Sequence, residues 1–363
     1  MSYENHQTSH GKALTATIVV IALILVGGFT YELGRRAGIK QASGGKAVSQ
    51  SVQSSTGTKN GMKRVGILQY VSHPALDQIH KGVVDELKKE GFVDGKNIQI
   101  FDQNGQADQS KLATMSEQLV NKKSDVLVGI ATPAAQALAN ATTTTPIVLG
   151  AVTDPVAAGL VKDMKAPGKN ITGVSDQPPV AAEIKLGKQL MPQAKTVGML
   201  YASTEVNSKS QVKTATKAAE ALGMNVEKFP VPSTNEIAQT VQVMSDKCDF
   251  IYTPLDNTIA NAMPTVTEEA NKKGRPVINS VDTMVKQGGL ATIGVNQYQL
   301  GIQTGKMAAQ ILKGKGKPAT MPVYTFSTGD TIINKEQAQR LGITIPDNLR
   351  KSAKLVSTEV GKQ

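Results

Sequence analysis

The feature that most constrains this chain is a unit that recurs four times: an apolar run, a polar turn containing proline, then a helical pattern. Arg64-Val-Gly-Ile-Leu-Gln-Tyr70 leads into Val71-Ser-His-Pro-Ala-Leu-Asp77, and Val126-Leu-Val-Gly-Ile130 into Ala131-Thr-Pro-Ala-Ala135. Ile147-Val-Leu-Gly-Ala-Val152 leads into Thr153-Asp-Pro-Val156, and Phe250-Ile-Tyr252 into Thr253-Pro-Leu-Asp256. Proline suits the first turn of a helix, where its missing N–H would have no partner anyway. Strands alternating with helices predict a parallel sheet. In such a sheet the turns all lie at one edge, beyond the carboxyl ends of the strands, where open α/β folds hold ligands. Free helix N–H groups and the positive dipole end suit that edge to an anionic group such as a carboxylate.

The alternation starts at residue 62, pauses near Ile171-Thr-Gly-Val174, and restarts with Thr196-Val-Gly-Met-Leu-Tyr201, an echo of the first strand. This predicts an α/β protein of two doubly wound parallel-sheet domains joined by hinge strands, facing each other as a clamshell. The expected boundaries are 62–175 plus 291–320 for lobe 1 and 176–290 plus 321–350 for lobe 2, with 351–363 as a tail. A single helix is expected from Ile259 to Lys272.

Ahead of the folded part, residues 1–12 read as a polar tail. Ala13 to Thr30 carry no charge, long enough to cross a bilayer core, so 13–33 are expected to form a transmembrane signal-anchor. Residues 34–61, rich in Gly, Ser, Gln and Lys, read as a flexible tether. The formal net charge is +11, of which residues 1–64 hold +6, with eight basic against two acidic side chains. Much of the excess thus sits beside the apolar segment, where an anionic membrane surface is its natural partner and nucleic acid is not. The absence of tryptophan and the low aromatic content (4%) also argue against a base-stacking platform. Cys248 is the only cysteine, which rules out an intramolecular disulfide and a cysteine-rich metal site. No G-x-S-x-G elbow, H-E-x-x-H, P-loop or G-x-G-x-x-G after a strand is present, so an enzyme is not expected. Neither is a metal or cofactor.

From about residue 62 to 350 the chain resembles the ABC-transporter substrate-binding proteins of the tryptophan-uptake type, which have the type I periplasmic-binding-protein fold. The resemblance rests on His73-Pro-Ala-Leu-Asp77, Thr153-Asp-Pro-Val-Ala-Ala-Gly-Leu160, Leu200-Tyr-Ala-Ser-Thr-Glu-Val-Asn-Ser208, Tyr252-Thr-Pro-Leu-Asp-Asn257 and Ala338-Gln-Arg-Leu-Gly-Ile-Thr-Ile-Pro346. It implies a monomer that captures a free amino acid, L-tryptophan or another aromatic one, and delivers it to an ABC permease and its ATPase. Relatives in Gram-positive bacteria carry a lipid on a cysteine. Here that cysteine is missing, and the anchor helix would take its place in a single-pass membrane protein. The resemblance implies an extracellular binding domain, whereas Arg35, Arg36, Lys40 and Lys46 after the span oppose that orientation. Long domains can override such a charge bias. A membrane-tethered sensor built on the same clamshell, or uptake of a different solute, is the alternative.

An α-amino acid needs donors for its carboxylate and acceptors for its ammonium. Thr132, Thr153 and Ser203 offer hydroxyls beside free helix N–H groups. Asp154 and Asp256 are the expected ammonium partners, with Asn207 and Asn257 able to donate or accept. His73 is either a cap or a ligand contact, and Tyr70 at a strand end either lines a side-chain pocket or fills the core. Ser72, Pro133 and Ser280, on the same expected edge, complete the candidate set.

Overall fold

Strand β1 (Lys63–Gln69) buries Val65, Ile67 and Leu68 completely, as befits a parallel strand covered by helices on both faces. In this computed structural model, which describes residues 61–326 and 329–359, β1 sits inside a six-stranded sheet. Its partners are β2 (Ile98–Asn104), β3 (Val126–Ile130), β4 (Ile147–Gly150), β5 (Ile171–Ser175) and β11 (Tyr324–Thr325), in the order β11-β5-β4-β3-β1-β2. Every pair is parallel, with Ile67 opposite Val128 and Val128 opposite Val148. Helices α1 (Pro74–Lys89), α2 (Gln109–Asn121) and α3 (Thr132–Ala141) follow β1, β2 and β3. Helix α10 (Gln297–Leu312) returns from the other lobe to pack on α1. The two touch backbone to backbone. A Cβ on Gly301 would lie 2.1 Å from the Ile79 carbonyl oxygen, and one on Gly82 would lie 2.4 Å from that of Tyr298.

The second sheet has seven strands: β6 (Thr196–Ala202), β7 (Asn225–Val231), β8 (Phe250–Thr253), β9 (Val277–Asn279), β10 (Ala291–Gly294), β12 (Asp330–Asn334) and β13 (Lys354–Val356). Their order is β13-β12-β10-β9-β8-β6-β7, parallel except where β12 runs antiparallel to β10. Helices α4 (Val180–Leu190), α5 (Val206–Ala221), α6 (Ile237–Ser245), α7 (Asn257–Asn261), α8 (Met263–Lys272), α9 (Asp282–Lys286), α11 (Lys335–Arg340) and α12 (Asp347–Ser352) surround it. Each sheet has its own apolar core. Val128, Val148 and Leu300 belong to the first, while Ile184, Phe250 and Ile333 belong to the second.

The chain crosses between lobes after β5, after β10 and after β11. Two of these crossings differ from expectation. The strand at 291–294, expected in lobe 1, pairs with β9 and β12 in lobe 2, and only the helix after it returns to lobe 1. Tyr324–Thr325, expected in lobe 2, pairs with β5 in lobe 1. An isolated apolar strand carries no label for the sheet it joins, so periodicity alone could not assign either one.

Three local expectations also fail. Thr153-Asp-Pro opens a series of turns rather than a helix, closed by Gly159 at φ 74°, and the residues beyond it lack a helical apolar stripe. The helix expected over 259–272 is broken at Ala262, where Pro264 begins a new first turn. Residues 354–356, expected in a tail, form an edge strand parallel to β12. The expected tail, anchor and tether over residues 1–60 lie outside the described residues. Among the described residues, no helix is long and apolar enough to cross a membrane.

Candidate functional site

The carboxyl edges of the two sheets enclose a small cavity of about 30 Å³, lined from both lobes. Lobe 1 supplies His73 and Leu76 at the start of α1, Ala131 and Thr132 at the start of α3, and Ala151 and Thr153 after β4. Lobe 2 supplies Asn207, Leu255, Asn257, Ala260 and Val281. Two further residues come from the crossings, Asp176 after β5 and Gln297 at the start of α10.

The wall is built for donors on the lobe 1 side. Helices α1 and α3 begin without a side-chain cap, so their first N–H groups have no intrahelical partner. Ala131 has φ 73°, ψ 158°, and Ala151 has φ 59°. These are conformations that cost a residue with a Cβ about 1–3 kcal/mol and cluster at functional sites. Both line the cavity, so the strain coincides with the turn that brings the α3 N-terminus to it.

Three acceptors in the wall are buried and unpartnered: Asp176 Oδ1, Asn207 Oδ1 and His73 Nδ1. Burial raises the Asp176 carboxyl to about 6, partly offset by the Thr153 hydroxyl bonded to it. Burial likewise lowers His73 to about 4, against a smaller raising effect from Asn257. At neutral pH the cavity therefore holds an ionised Asp176 and a neutral His73.

The lobe 2 side is organised by two buried carboxylates. Glu205 Oε1 accepts from the Thr258 N–H and hydroxyl, both at 2.9 Å, and Oε2 accepts from Asn257 Nδ2 at 2.6 Å and its N–H at 3.2 Å. Asp256 caps α7, accepting from the Ile259 N–H at 2.9 Å and the Ala202 N–H at 2.6 Å. Burial and then the neighbouring Glu205 push Asp256 up to about 7. Two contacts bridge the lobes directly: His73 Nε2 lies 3.3 Å from Asn257 Oδ1, and the Ser210 hydroxyl donates to Asp154 Oδ2 at 3.2 Å.

Of the expected site residues, His73, Thr132, Thr153, Asn207, Asp256 and Asn257 all line the cavity. The others serve elsewhere. Ser72 donates to the Asp77 carboxylate, and Pro133 lines a separate groove on lobe 1. Asp154 caps its own turn at Ala157, and Ser203 bonds the Val231 carbonyl. Ser280 joins Tyr252 on the buried Glu183 carboxyl group. Tyr70 is buried, its hydroxyl 3.4 Å from the Ala107 carbonyl. Burial, then the charges of Glu205 and Asp256, raise it. Neither Asp154 nor Asp256 has a spare oxygen comparable with Asp176 Oδ1.

Asp176, Glu205 and Gln297 were not singled out from the sequence. Asp176 directly follows a buried strand, as the other edge residues do. Its signal was the following Gln-Pro-Pro, which ends the strand without the turn-and-helix pattern that marked the rest.

A family model described as ABC transporter substrate binding protein matches residues 64–357. A tyrosine-binding protein of Clostridioides difficile (strain R20291) is 36% identical over 322 residues, 89% of this chain and 92% of the relative. Among solved structures, an ABC domain in complex with L-Trp from Streptococcus pneumonia is 51% identical, with a TM-score of 0.79 over 81% of this chain and 99% of that one. The ligand-free, open structure of a substrate binding protein with adhesive properties from Clostridium difficile is 40% identical, with a TM-score of 0.63 over 82% of this chain and 100% of that one. The lower score against the open form agrees with the direct lobe-to-lobe contacts seen here.

Proposed function

Because the chain belongs to the ABC transporter substrate binding protein family, we propose that it captures a free aromatic amino acid, L-tryptophan or L-tyrosine, and delivers it to a membrane permease and its ATPase. The observation that carries this reading is the pairing, in one interlobe cavity, of uncapped helix N-termini with a buried carboxylate that has an unpartnered oxygen. Those are the complements of an α-carboxylate and an α-ammonium. The Thr132 and Thr153 end of the lobe 1 edge receives the carboxylate, and Asp176 Oδ1 receives the ammonium. Leu76, Leu255, Ala260 and Val281 provide the apolar wall for the side chain. The relatives that hold L-Trp or carry the name tyrosine-binding protein support the aromatic class.

In this reading the uncharged segment 13–30 anchors the chain in the cell membrane, and the tether lets the clamshell work outside the cell. Direct binding tests the reading. The chain contains no tryptophan, so a change in ligand fluorescence on mixing with L-tryptophan reports the complex without background. Saturable binding of L-tryptophan or L-tyrosine is expected, and calorimetry should show Asp176→Asn weakening it about 30-fold, the worth of a charge-assisted hydrogen bond of about 2 kcal/mol. Undiminished affinity in that variant would remove Asp176 from the site.

A further inference from the structure

Asn257 reaches across the closed cleft with only one of its two polar ends. Its amide nitrogen is committed to Glu205 Oε2 at 2.6 Å, and a buried carboxylate receiving several N–H and O–H groups can only accept. The amide oxygen is therefore the end that faces His73 Nε2, at 3.3 Å. An amide oxygen also only accepts, so the imidazole proton must sit on Nε2, and in the neutral ring Nδ1 is left as a lone pair. That Nδ1 is buried and has no partner. The lowered pKa of about 4, caused by burial, keeps the ring neutral at physiological pH.

The position of this lone pair says what it meets. Asp176 follows β5 and His73 follows β1, and the sheet order β5-β4-β3-β1 puts three strand spacings between them. At about 4.8 Å per spacing the two stand roughly 14 Å apart along the edge. One ammonium cannot serve both groups. An aromatic amino acid bound with its ammonium at Asp176 would turn its ring toward His73. Ala75 and Leu76, next to His73 at the start of α1, line the cavity together with Ala260, which lies one turn beyond Asn257 in α7.

We infer that His73 accepts from the ring N–H or O–H of the bound side chain, with Glu205 and Asn257 as positioning residues that hold its Nδ1 as an acceptor. The site thereby selects aromatic amino acids that carry a ring N–H or O–H over those that do not. This rests on the aromatic amino acid reading above and adds the basis of choice within the class.

The test uses the full-length protein in detergent and four ligands followed by calorimetry. These are L-tryptophan, its isostere L-3-benzothienylalanine (sulfur in place of the ring N–H), L-tyrosine and L-phenylalanine. Leaving a buried acceptor unmatched costs about 1–3 kcal/mol, or roughly 5- to 150-fold, so the wild type should prefer the donor-bearing member of each pair by that factor. His73→Leu should bring both ratios to within about threefold. Glu205→Gln, which frees the Asn257 amide to turn over, should lower them while the protein still binds. Equal wild-type affinities within each pair, or ratios unchanged in His73→Leu, would overturn the inference. If none of the four ligands binds the wild type, the aromatic reading itself fails and the inference with it. Binding of all four without discrimination leaves that reading standing and refutes this one alone.

Discussion

Asp176 makes ligand binding depend on pH in a way that can be worked out in advance. Its carboxyl titrates at about 6 in the cavity, raised by burial, and only the ionised form can pair with an ammonium. With a single such group, the apparent dissociation constant scales as one plus the ratio of protonated to ionised Asp176. About nine-tenths of the protein is ionised at pH 7 and about one-tenth at pH 5, so affinity should fall roughly tenfold over that interval. The ligand's own ammonium and carboxylate keep their charges throughout it. His73, at about 4, titrates below the window. Asp256, at about 7, titrates inside it, but its oxygens are held by the Ala202 and Ile259 N–H groups. The Asp176→Asn variant separates the two, because any slope that survives in it belongs elsewhere. Calorimetric titration of L-tryptophan at pH 7, 6 and 5 in both proteins measures this directly. A flat wild-type profile, or the same tenfold slope in Asp176→Asn, would refute the assignment.

Glu183 is fully buried and pushed by burial from its ordinary 4.5 up to about 8. The folded state therefore holds a proton that the unfolded state has lost, and stability falls as pH rises through that interval. Between pH 5 and 8 this group should cost about 3 kcal/mol. Urea denaturation should show that this part of the loss disappears in Glu183→Gln, and an unchanged pH slope would count against it. Gly301→Ala forces a methyl group into the Ile79 carbonyl, and overpacking of that kind costs about 1–3 kcal/mol, so a lower melting temperature is expected with ligand contacts intact. For the proposed anchor, the full-length chain should fractionate with membranes and resist extraction by high salt, and deletion of residues 1–60 should release it. Recovery of the full-length chain in the soluble fraction would argue against an anchor.

Much of the architecture was legible from period and punctuation. Buried parallel strands such as Val126–Ile130 are continuous apolar runs, and proline at the next turn marks where a helix begins. Both are local properties that neighbouring residues impose on one another, so the edge carrying His73, Thr132, Thr153 and Asn257 could be read before any coordinates. What the tertiary structure decided are matters of partnership between segments distant along the chain. Ala291–Gly294 joins lobe 2 because its backbone finds β9 and β12 there. Asp256 looked like a ligand partner, yet folding brings the Ala202 N–H to it and uses it as a cap. Asp176 is not among the residues the sequence singles out, and folding leaves it buried with an oxygen that has no partner in the protein. A side chain's type tells which hydrogen bonds it can make. Only the packed structure tells which of those are already taken, and a binding site consists of the ones that are not.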